Sequence, residues 1–215
     1  MVATAPPGID ASPRTACCDV RPVAVRQRRL LAVVLAVNAA MFVGELVAGI
    51  LAHSTALLAD SADMLGDAIA YAFSLYVVGR GPVWQVRGAR LKGAIMAAFG
   101  IGVLLEVASK LVQGVTPRAE IMSGVGLLAL LANAAVLGAL WRHRADDLNM
   151  RSVWLCSRND VIANGGVLLA AVGVHLTGTP WPDIVIGLAI ASLFLASAVG
   201  VLRAARRTLA PSRST

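Results

Sequence analysis

The sequence predicts an all-α integral membrane protein of six transmembrane helices with both termini cytoplasmic. Three observations carry that prediction. Of the 215 residues, 58% are hydrophobic and only 14% are charged, which is not the composition of an ordinary soluble domain. The apolar residues gather into six runs of about 20 residues, the length that spans a bilayer core. The basic residues sit in alternate connections between those runs, as the positive-inside rule requires.

Residues 1–29 hold Pro6, Pro7, Pro13 and Pro22 and lack an apolar core. They read as a flexible cytoplasmic arm rather than a signal peptide. Span 1, Leu30 to Leu51, follows Arg21, Arg26, Arg28 and Arg29. His53-Ser54 joins it almost directly to span 2, Ala56 to Val78, so the two must be antiparallel neighbours. Arg80, Arg87, Arg90 and Lys92 mark a longer inner connection before span 3, Leu91 to Val112. Glu106 and Lys110 in that span stand one turn apart and predict a local ion pair. Gly114 to Glu120, broken by Pro117, leads to span 4, Ile121 to Trp141. The polar stretch WRHRADDLNMRS, with Arg142, Arg144 and Arg151, precedes span 5, Val153 to His175. Leu176 to Pro182, with Pro180 and Pro182, leads to span 6, Asp183 to Leu202. Residues 203–215 form a short basic tail with Arg203, Arg206, Arg207 and Arg213. The six spans, residues 30–202, are thus the single membrane domain, and no soluble domain is expected after it.

The formal net charge of +7 does not point to nucleic acid, because its placement is that of membrane topology. Three cysteines, two of them adjacent at Cys17-Cys18, argue against a disulfide framework. Three spans plus three would suit an inverted repeat, but the halves show no residue-level similarity. Gly44, Gly49, Gly165, Gly166 and Gly173 predict close helix packing.

The chemistry lies in the charges left inside the spans. A carboxylate near the bilayer centre costs roughly 3 kcal/mol or more, so such residues are rare and usually functional. Asp63 and Asp67 are four residues apart in span 2, and Cys156 and Asp160 four apart in span 5. Residues i and i+4 share a helix face. Two facing pairs would offer three carboxylates and one thiolate, a tetrahedral donor set for a divalent transition metal. Asp60 can cap span 2, line an outer vestibule or tie span 2 to a neighbour. Arg158 is expected to snorkel to the cytoplasmic surface, or, as the sharper alternative, to offset carboxylate charge. Glu45 could relay protons. His53 and His175 read as solvated interface residues, and Cys17-Cys18-Asp19 could collect cytoplasmic metal. Counted from the inner arginines, Asp67 and Asp160 differ in depth by about 6 Å, a gap that closes if span 2 protrudes into the cytoplasm.

The stretch from Ser54 to Ala70, SxALLADSADMLGDAIA, resembles the signature of the cation diffusion facilitator family through Ser54, Leu57, Leu58, Ala59, Asp60, Asp63 and Asp67. A second match runs from Asp147 to Leu169, where Cys156 and Asp160 occupy the paired span-5 positions, with Asn164 one turn on. Asn38, Phe42 and Glu45 fall where the family often has polar or aromatic residues. The resemblance covers Leu30 to Leu202. It implies a transporter, not an enzyme, in the cell membrane, exporting divalent cations by proton antiport through a site shared by spans 2 and 5. Zinc is the expected cargo, with cadmium, cobalt, iron, nickel and manganese compatible; no cofactor is expected, and a homodimer is the family's assembly. The sequence departs from the family in holding Cys156 where His or Asp is usual, and in reading as a short form without the cytoplasmic domain after span 6. A non-transporting metal-binding partner or sensor is the alternative. A third reading, an intramembrane aspartyl protease, is disfavoured, since no Gly-x-Gly-Asp element is present and Asp63 and Asp67 share one helix turn.

Overall fold

The computed structural model describes residues 28–76, 82–144 and 148–209, and among them every regular element is an α-helix. The helices are α1 (Arg28–Ala52), α2 (Thr55–Tyr76), α3 (Pro82–Gln113), α4 (Ala119–Trp141), α5 (Leu148–Thr177) and α6 (Trp181–Leu209). Six successive crossings return the chain to the side on which it began. The Cys17-Cys18-Asp19 cluster, Arg80 and Arg213 lie outside the described residues.

Each predicted span is found, and α1, α3, α5 and α6 run longer than predicted at their inner ends. The connection expected from Arg80 to Arg90 is helical from Pro82, which takes the first helical position, where a missing N–H costs nothing. Pro182, expected to break the chain, sits in the first turn of α6 for the same reason. Five helices are long and apolar enough to cross a membrane. The exception is α2, whose Asp60, Asp63 and Asp67 dilute its apolar character. It is instead the most enclosed helix: from Ser54 to Tyr71 every residue is buried except Leu58, Asp63, Leu65 and Ile69, which are half-buried. Its neighbours are α1, α3, α5 and α6, while α4 packs on α1 and α5, and α3 on α6. Outward faces carry Val43, Val47, Leu105, Leu128, Leu131 and Leu169, more than half exposed or close to it, as lipid contact requires.

The tight α1–α2 corner is built from backbone bonds. His53 takes φ 51°, the amide of His53 donates to Ile50 O at 3.3 Å and that of Ser54 to Gly49 O at 2.9 Å. That is the paired closure of a helix ending in a left-handed residue. Ser54 then caps α2, its Oγ accepting from the Leu57 amide at 3.1 Å. The cap is reinforced from α6. Asp183 accepts from Ser54 Oγ at 2.6 Å, from the Thr55 amide at 2.7 Å and from the Ala56 amide at 3.1 Å. Lys110 of α3 completes the cluster, its Nζ 2.7 Å from Asp183 and 2.9 Å from Thr55 Oγ1. The predicted Glu106–Lys110 pair is therefore corrected: Lys110 is buried and turned toward Asp183, and Glu106 is only half-buried. In a bilayer an ammonium gains more from a carboxylate that cannot reach water than from one at the lipid rim.

Close approach is specific to a few small residues. A Cβ at Gly49 would lie 2.9 Å from the Leu58 side chain, and one at Gly173 2.7 Å from Pro182. Gly44 and Gly165 meet nothing within 4 Å, so the predicted packing role does not extend to them.

Candidate metal-binding site

Two apolar clusters divide the bundle. One, at the α1–α2 corner, joins Ala52, Leu57, Met122, Val167 and Ala171. The other, toward the opposite end, joins Leu31, Tyr71, Leu140, Val153 and Cys156. Between them on each of four helices lie the polar residues: Asn38 and Glu45 of α1, Asp60, Asp63 and Asp67 of α2, Asn133 of α4, and Asp160 and Asn164 of α5. Apolar layers on both sides keep this layer from bulk water. All of them are buried except Asp63, which is half-buried.

The register between α2 and α5 is set by one hydrogen bond. Asn164 Nδ2 donates to Asp60 Oδ2 at 3.1 Å and also to the Asp160 carbonyl at 2.8 Å. Of the three roles open to Asp60, the observed contact is the tie to a neighbouring helix. Because the helices are antiparallel, a step of one turn from this pair sets Asp160 opposite Asp63, and a second sets Cys156 near the level of Asp67. The expected depth gap of about 6 Å is thereby removed, and α5 starts earlier than its predicted span, at Leu148.

The charges in this layer act on one another. Asp160 is within electrostatic reach of Asp67, Asp63 and Asp60, and Glu45 of Asp160 and Asp63. Tyr71, one turn beyond Asp67, donates its hydroxyl to Asp67 Oδ2 at 2.9 Å. Asp160 Oδ2, Asp60 Oδ1, Asn164 Oδ1 and both Glu45 oxygens are buried without a hydrogen-bond partner. Buried polar atoms are almost always satisfied, so orphaned oxygens gathered in one layer mark a place built for something else to bind. Among the described residues no three His, Cys, Asp or Glu side chains already converge on one point as a closed metal cage.

The structure thus brings Asp63, Asp67 and Asp160 into one neighbourhood. Cys156 faces the same interior and is 1% exposed, and it is disulfide-bonded, contrary to the expectation of unpaired thiols. A sulfur in that state is no metal ligand; only a reduced cysteine, as its thiolate, can coordinate one. Arg158 is exposed, its guanidinium 5.7 Å from the centre of the Trp154 ring. It follows the snorkelling expectation and does not offset the carboxylates. His53 and His175 are exposed. Sequence reasoning missed two partners of the site. Tyr71 continues the spacing of Asp63 and Asp67 by one more turn and could have been found that way. Lys92, read as a loop charge, is fully buried; only its position one turn before Met96 hinted at an inward face.

Residues 31–82 and 84–210 match the cation efflux transmembrane domain. The zinc transporter ZitB of Escherichia coli is 30% identical over 190 residues, 82% of this chain and 60% of that protein. The metal cation efflux system protein CzcD of Cupriavidus metallidurans is 25% identical over 174 residues, 75% of this chain and 55% of its own. The cadmium, cobalt and zinc/H(+)-K(+) antiporter of Bacillus subtilis is 22% identical over 173 residues, 74% and 56% of the two chains. The chain spans a little over half the length of these curated relatives.

Proposed function

The chain belongs to the cation efflux family as a multi-pass membrane protein, and from that premise we propose that it exports divalent metal cations from the cytoplasm, zinc first among them, in exchange for protons. The observation that carries this reading is the buried layer of carboxylates shared by α2 and α5, with oxygen atoms left unbonded inside the bilayer. Its support from relatives is their names: a zinc transporter, a metal cation efflux protein, and an antiporter of cadmium, cobalt and zinc.

Asp63, Asp67 and Asp160, with reduced Cys156 as its thiolate, are the ligands in this reading. Clustered carboxylates held away from water require a neutralising cation. A metal ion and protons compete for the same oxygens, which couples their movements. If the bundle opens to one side at a time, that competition becomes antiport. Tyr71 holds Asp67 in orientation, and Asn164 holds the α5 backbone at Asp160 against α2.

The test is zinc flux into vesicles containing the purified protein, followed by a trapped zinc-sensitive dye under imposed pH gradients. Flux should run against the proton gradient and stop when an ionophore collapses it. Flux indifferent to pH on both sides would remove proton antiport. Saturable zinc binding with no flux would instead favour the metal-binding partner or sensor.

Cys156 tunes the choice of metal in the same reading. Thiolate sulfur is a softer donor than carboxylate, so the reduced protein should favour zinc and cadmium over manganese. Under reducing conditions Cys156→Ala should weaken zinc and cadmium binding, and Cys156→His should keep zinc while reducing the cadmium preference. A competition assay among the three metals reads this out. An unchanged ranking in Cys156→Ala makes the residue packing and leaves the three aspartates to hold the ion.

A further inference from the structure

Lys92 is placed where a cation has no reason to be unless the site needs one. It lies on α3, fully buried, and its Nζ makes no hydrogen bond. Met96, one turn further along α3, packs on α2 at Gly66, its Cε 3.4 Å and Cγ 3.5 Å from where a Cβ would stand. The two helices are antiparallel, so one turn back from Met96 brings Lys92 beside the turn of α2 that carries Asp67. Its charge acts on Asp63, Asp67 and Asp160.

No other cation among the described residues is free for that task. Lys110 is the second buried one, and it is committed to Asp183. Arg158 is exposed beside Trp154. A lone buried ammonium is costly to keep out of water, and opposite charges nearby are what offset that cost.

We propose that Lys92 is the fixed counter-charge of the carboxylate site, offsetting one of its negative charges so that the remainder lies closer to that of one divalent cation. This rests on the metal-site reading above. Three ionised carboxylates and a Cys156 thiolate would carry four negatives, and one ammonium leaves three, nearer the charge of one divalent ion. Without the lysine the same oxygens would hold a metal ion more tightly than transport can use, since an ion that binds too well is not released. Lys92 therefore sets affinity and charge selectivity without being a ligand.

The experiment compares wild type, Lys92→Met and Lys92→Arg, the first removing charge at nearly constant length and the second retaining it. Zinc affinity is measured by titration calorimetry on the purified protein, and flux in vesicles. Lys92→Met should bind zinc at least about tenfold more tightly, because a like charge acting on the site is gone. Its flux at saturating zinc should fall, and Lys92→Arg should restore both. Wild-type affinity in a folded Lys92→Met protein would overturn the proposal.

A second arm covers a variant that folds poorly. Thermal unfolding without metal is measured for Lys92→Met, Asp67→Asn and the double variant. If the lysine offsets the aspartates, Asp67→Asn recovers part of the stability that Lys92→Met loses. Strictly additive losses would overturn the counter-charge. Coupling without zinc binding in the wild type would sink the metal site and leave the counter-charge standing; zinc binding without coupling would do the reverse.

Discussion

Asp160→Ala should abolish metal flux while the protein still folds and inserts. Asp160 is 1% exposed, with Oδ2 unbonded, and it feels the charges of Asp67, Asp63 and Asp60. Removing residues that merely orient ligands costs about 10–100-fold in metal affinity or activity, so loss of a ligand should cost at least that. Folding should not suffer, because the substitution relieves repulsion among buried carboxylates and leaves no partner orphaned. The Asn164 side chain bonds the backbone carbonyl at Asp160, a contact alanine keeps. Asp67→Ala should lose flux equally, with a small added cost from the unpaired Tyr71 hydroxyl. The measurement is zinc uptake by vesicles of equal protein content, with monodispersity in detergent as the folding control. Wild-type rates in either variant would remove these aspartates from the transport path.

Asp183→Ala should be the most destabilising single change in the described structure. Its carboxylate receives Lys110, the Ser54 hydroxyl and the amides of Thr55 and Ala56, joining α2, α3 and α6 at one end of the bundle. Breaking a buried ion pair by removing one partner costs about 3–5 kcal/mol, because the other charge stays behind. Loss of the bonds Asp183 makes to the Thr55 and Ala56 amides at the start of α2 adds roughly 1 kcal/mol. Thermal unfolding in detergent should show a large drop, with Lys110→Met somewhat milder, since Asp183 then keeps its three other donors. The double variant Lys110→Met/Asp183→Leu should lie above Asp183→Ala, as replacing both charges by apolar groups is often neutral. A midpoint for Asp183→Ala close to wild type would show that the cluster does not hold the bundle.

The helices and the aspartate pair were legible before any contact was known, because both are properties of one segment. A run of about 20 apolar residues must bury its own backbone as a helix in lipid. Within a helix, 3.6 residues per turn decide that Asp63 and Asp67 share a face, and likewise Cys156 and Asp160. His53-Ser54 is too short to allow anything but an antiparallel α1 and α2. Those statements needed no neighbour.

Partner choice between helices was not legible, because it depends on which face meets which and at what register. Lys92 near a span end could reach water or turn inward; packing of Met96 on Gly66 turned it inward. Lys110 had a carboxylate one turn away in Glu106, yet Asp183, on another helix, is enclosed and takes it. Asp60 had three roles open to it until Asn164 was placed opposite it. The sequence by itself determined how many helices cross and which of their faces carry charge. Only the tertiary structure decided which charges answer one another, because in a membrane that choice follows from burial and distance across helices rather than spacing along one.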